Sequence, residues 1–203
     1  MTMTKYNLTP VGYLLLQDAE LARSSNDYNR ALGLYCGVDR LPAFTDIDRH
    51  CLPKTTAMGQ AAIEKVATEW YDARSGATAF LANPVQASDL IKGFHAVGIA
   101  LDLVYCQLAW RLGQENTLKQ YTLDDSGPPR IALTYGFDVS WPTCNHSAIR
   151  QPGVVPTNPM WRSRLNEWGV LNNYEDAEEL RKEYLEVYPY PPFDIFLVHK
   201  VIL

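Results

Sequence analysis

The sequence predicts a single α+β domain over 1–203, with a mixed or largely antiparallel sheet packed against a long central helix and an acidic C-terminal helix. Three observations carry that prediction. Strand-like runs of leucine, aromatic and β-branched residues lie at 11–17, 131–140 and 193–203. Helical stripes separate them, at 88–113 and 173–188. The elements do not alternate regularly and no glycine-rich strand-to-helix turn occurs, which argues against a doubly wound fold.

Val11-Gly12-Tyr13-Leu14-Leu15-Leu16 opens the chain as a strand. Residues 18–34 are polar and partly helical, and 37–53 read as a long loop, a kind of segment that is often functional. Thr55 or Thr56 caps a helix whose stripe is Ile63, Val66, Trp70 and Ala73. Thr78 to Leu81 follows as a short strand, and Asn83-Pro84 as a turn. Ser88 is then the expected cap of the central helix. Its stripe is Leu90, Phe94, Val97, Leu101, Val104 and Leu108, over about 25 residues.

Downstream, 117–123 and 131–140 flank Asp124-Asp125-Ser126-Gly127-Pro128-Pro129, which is strong turn chemistry and predicts a hairpin. His146 to Arg150 is a further candidate strand, and 161–172 a short amphipathic segment. Asn173 caps the last helix, with Ala177, Leu180, Tyr184 and Val187 or Tyr188 facing inward. Phe193 to Leu203 is the final strand, with Ile195, Leu197 and His199 on one face. No period of 20–50 residues repeats, so a solenoid or propeller is not expected.

Composition narrows the function classes. The chain is 47% hydrophobic and carries a net charge of -5, as globular rather than disordered chains do. Twenty-three acids against 18 Lys and Arg argue against a nucleic-acid partner. Neither a secretory leader nor a membrane span is visible, so a cytoplasmic location and no membrane partner are expected. The four cysteines show no CxxC spacing and read as free thiols.

No P-loop, dinucleotide fingerprint, HExxH, GxSxG or EF-hand loop occurs, and the expected cofactor and metal complement is none. His50-Cys51 and Cys144-Asn145-His146 bring thiol and imidazole close in sequence. A catalytic pair drawn from His50, Cys51, Cys144 and His146, between the 37–53 and 141–160 loops, is the alternative reading: an enzyme or small-molecule binder. Their spacing is not that of a zinc site. His95 and Asp102, seven apart, would share one solvated face of the long helix with Lys92.

The last third is rich in interaction-prone residues. Trp161-Arg162-Ser163-Arg164 has the composition of a binding hot spot. Glu167, Glu175, Asp176, Glu178, Glu179, Glu183 and Glu186 outnumber Arg181 and Lys182. Glu175, Asp176, Glu178, Glu179 and Glu183, with Trp161, Arg162 and Arg164, are therefore the expected partner-binding residues, facing a basic protein.

The stretch Tyr135-Gly136-Phe137-Asp138-Val139-Ser140-Trp141-Pro142, followed by Asn145-His146-Ser147-Ala148-Ile149, resembles small cytosolic immunity proteins of bacterial polymorphic-toxin systems. The similarity spans 131–203. It implies a non-enzymatic domain that binds and neutralises a cognate toxin, and it transfers no individual residue role.

Overall fold

A computed structural model describes residues 6–17, 65, 69, 80–96, 101–114, 127–140, 148, 158–189 and 193–202. In chain order the named elements are β1 (Asn7–Gln17), α1 (Pro84–Ala96), β2 (Leu101–Trp110), β3 (Ile131–Ser140), α2 (Pro159–Arg164), α3 (Tyr174–Val187) and β4 (Asp194–Val201). The four strands form one sheet in the order β1-β2-β4-β3. Every neighbouring pair is antiparallel. The α+β class holds, with an antiparallel sheet.

The long central helix does not exist. The chain leaves helix at Ala96 and runs as strand β2 from Leu101. Leu103, Val104, Tyr105, Cys106, Leu108 and Ala109 are all buried, so both faces of β2 are covered. A strand buried on both faces loses polar alternation, and its continuous apolar run extends the helical stripe of α1 by accident. His95 therefore lies in the last turn of α1, whereas Asp102 sits on β2 with Lys200 Nζ at 2.7 Å and the Tyr135 hydroxyl donating to it. They share no helix face.

Helix α1 also begins earlier than expected. Asn83 is its cap, accepting from the Val85 and Gln86 amides at 2.9 and 3.1 Å, so Ser88 lies inside the helix. Pro84 opens it, where its missing N–H costs nothing. Asn173 caps α3 as expected, accepting from the Asp176 amide at 2.8 Å. Ala177, Leu180 and Tyr184 face the core, but Val187 and Tyr188 are exposed and lie beyond the buried stripe.

Strand β3 pairs with β4. The 117–123 segment lies outside the described residues, as do the 18–34 and 37–53 segments. The Ile63, Val66, Trp70 and Ala73 stripe lies outside the described residues; nearby, Lys65 and Glu69 are helical and form an i,i+4 ion pair. Of 146–150 only Ala148 is described, its amide bonded to the Val139 carbonyl.

Both outer edges of the sheet are covered at their centres. Tyr13 on β1 exchanges two backbone hydrogen bonds with Leu81, and Phe137 on β3 exchanges two with Leu171. Such single-residue bridges occupy edge groups that would otherwise invite another strand. Each bridge sits beside a glycine with φ of 134°, Gly12 and Gly136. A Cβ at Gly12 would lie 2.7 Å from the Leu81 carbonyl oxygen, and one at Gly136 would collide with that of Leu171. Glycine is required at both positions by conformation and by space.

Aromatic rings fill the core around these bridges. Phe80 packs on Phe196, Tyr13 on Tyr105, and Tyr174 on both Phe137 and Tyr6.

Candidate functional site

The acidic helix and its supports form a layer beside β3 and β4. Asn158 caps α2, accepting from the Met160 amide, and Pro159 takes the first helical position. This six-residue helix is too short to be stable alone. Two side chains fasten it to α3. The Trp161 ring is fully buried, and its Nε1–H donates to Glu183 Oε2 at 2.6 Å. The Arg164 guanidinium donates to Asp176 at 3.0 Å and Glu179 at 2.6 Å while stacking over the Trp161 ring at 4.7 Å. The hydrogen bond to Glu179 leads the effects that raise the Arg164 pKa, so the guanidinium stays charged at every relevant pH.

Several expected contact residues are therefore internal. Trp161 is core rather than an exposed anchor, because its ring closes the α2–α3 contact. Glu178 is buried, paired with Arg181 at 3.1 Å and near Lys182 at 3.8 Å. The Tyr174 hydroxyl also reaches Glu178. Burial, then the Glu178 charge, pushes that hydroxyl up to about 12. Arg111 stacks on the Tyr174 ring and lies 3.8 Å from Glu175.

What α3 turns outward is Glu175, Glu179 and Glu186, with Lys182 among them. Asp176 and Glu183 are half-buried, held by Arg164 and Trp161, and Arg162 is exposed on α2. Two acids in the first turn, Glu175 and Asp176, suit the positive end of the helix dipole. The other end has no such excuse. The last turn holds no basic residue, so Glu186 adds to the negative end of the dipole. Val187 and Tyr188, 58% and 41% exposed, adjoin that charge, and the Tyr188 ring stacks on Tyr184. The result is a negative ridge ending in an apolar tip.

His50, Cys51, Cys144 and His146 lie outside the described residues. Cys106 is a buried thiol on β2. Among the described residues no group of three or more His, Cys, Asp or Glu could hold a metal ion, and no helix is long and apolar enough to cross a membrane.

One buried polar group has a place the sequence suggests only as a face. His199 is buried mid-sheet, its Nδ1 at 2.9 Å from Thr134 Oγ1 and its Nε2 at 3.0 Å from Gln107 Oε1. Burial lowers its pKa, and both ring nitrogens are engaged. This arrangement locks strands together and offers no open base.

The chain matches no family model, no curated protein and no solved structure.

Proposed function

We propose that the protein is a non-enzymatic binding domain whose outward α3 face meets a basic protein, and that it acts as an immunity protein neutralising a cognate toxin. The observation that carries this reading is the C-terminal half of α3. There Glu186 is placed against the helix dipole, beside exposed Val187 and Tyr188, with no ion pair to hold it among the described residues. Such charge is useful for steering a partner and setting its orientation. An apolar tip beside it supplies the area that a charged surface lacks. The likeness of 131–203 to toxin-immunity proteins gives the partner its class.

Co-expression with the product of the neighbouring gene is the test. The reading predicts that this product arrests growth alone, and that the present chain restores growth and co-purifies with it. Continued arrest, with no complex recovered, would overturn it.

A further inference from the structure

We infer that the chain is a tandem duplication of one β–α–β unit, built once by β1, α1 and β2 and again by β3, α3 and β4. The sheet order β1-β2-β4-β3 reads the same from both edges when β1 is matched with β3 and β2 with β4. The register locates the axis. Gly12, Cys106, Val198 and Gly136 form one row across all four strands. A half-turn between Cys106 and Val198 exchanges the two halves of that row.

The flanking rows obey the same operation. One contains Tyr13, Tyr105, His199 and Thr134, and the other Phe137, Leu197, Gln107 and Pro10. The half-turn carries each residue of the first row onto its mate in the second. It places His199 and Gln107 as equivalents, and they hydrogen-bond to each other across the axis.

Irregular features repeat as well, and these are the least expected from shared architecture alone. Each edge strand breaks register just before its glycine, between Pro10 and Gly12 and between Thr134 and Gly136. Both glycines have φ of 134°. The next residue bridges a leucine in each case, and two positions later an asparagine caps the helix. The sequence repeats with it: Leu-x-Asn-x3-Ala-x2-Leu-x-Lys-x-aromatic occurs at 81–94 and again at 171–184. Ala87 and Ala177 are buried equivalents, as are Leu90 and Leu180.

A physical reason for two copies follows from the strand edges. One unit alone leaves the far edge of its central strand unpaired, a hazard for aggregation. Pairing β2 with β4 closes that edge in both units at once. The outward acids are only partly in the repeat: Asp89 matches Glu179, whereas Val85 and Ala96 stand in α1 where α3 has Glu175 and Glu186.

Circular permutation tests the duplication. The half-turn makes the span from the end of β4 to the start of β1 equal to that from the end of β2 to the start of β3. Residues 111–130 bridge the latter. Joining Leu203 to Met1 through a Gly/Ser linker of about twelve residues matches that length. One permutant opens between Gln114 and Glu115, between units. A second opens between Asn26 and Asp27, inside the first unit, and shares the same new joint. The duplication predicts that the between-unit permutant folds cooperatively with the parent circular dichroism spectrum and a Tm within about 8 °C of the parent, and that the within-unit permutant melts lower. If the between-unit permutant fails to fold, or melts no higher than the within-unit one, the duplication is refuted.

Discussion

Gly136 shows how much one backbone position decides here. Its φ lies where side chains are strained, and any Cβ would meet the Leu171 carbonyl that closes the β3 edge. Gly136→Ala should therefore destabilise the protein by about 1–3 kcal/mol, read as a lower urea midpoint with little change in slope. Gly12→Ala should behave alike, with the contact to Leu81 in the same role. His199 gives a pH dependence of known sign. Its folded pKa lies below the ordinary value, so below about pH 6.5 the unfolded chain binds the extra proton. Stability is then lost as pH falls through that value toward the folded pKa. Urea unfolding between pH 7.5 and 5.5 should show this loss, and His199→Gln should flatten it.

At the scale of elements, the two caps and the α2–α3 contact are the critical local devices. Asn83→Ala and Asn173→Ala should each cost about 1 kcal/mol, and Asn173→Asp should recover most of it, by thermal or urea unfolding. Trp161→Ala should cost about 3–5 kcal/mol, because it empties a buried site and strips Glu183 of its donor. A Trp161 effect on binding without one on stability would contradict its burial. These elements also show what was legible in sequence. Asn173 and the Ala177, Leu180, Tyr184 stripe announce α3, because a cap and a 3.6-residue period are local signals. Strand β2 is not announced, since Leu103 to Ala109 lie buried on both faces and keep no alternation. Composition marks Trp161 and Arg164 as interaction-prone, but their mutual stacking and their bonds to α3 are tertiary facts. The acidic ridge is half legible: the charges are visible in sequence, whereas which ones face solvent depends on Arg164, Arg181 and Trp161.

For the molecule as a whole, the paired units separate what the fold needs from what it carries. The first unit builds the same strand, bridge, cap and helix with no acid at the positions of Glu175 and Glu186. The motif at 81–94 and 171–184 was present in the sequence, but its ninety-residue offset and unequal intervening segments hide it from any search for short periods. The carboxylates left outward by α3 are thus the best candidates for function, and they define the variant to test. Glu183 is unsuitable because it holds Trp161, and Glu179 because it holds Arg164. Glu175 and Glu186 are both exposed; reversing Glu186 should change stability by less than about 0.5 kcal/mol, whereas reversing Glu175, which lies 3.8 Å from Arg111 at the positive end of the dipole, should cost about 1 kcal/mol and leave the protein folded. The most direct measurement is the association rate of the Glu175→Lys/Glu186→Lys variant with the neighbouring gene's product at low and at physiological salt. The account predicts an on-rate at least about tenfold slower than the parent at low salt, with the difference shrinking as screening shortens the Debye length to about 8 Å. An on-rate equal to the parent's at both salts, in a variant with an unchanged circular dichroism spectrum, would contradict it.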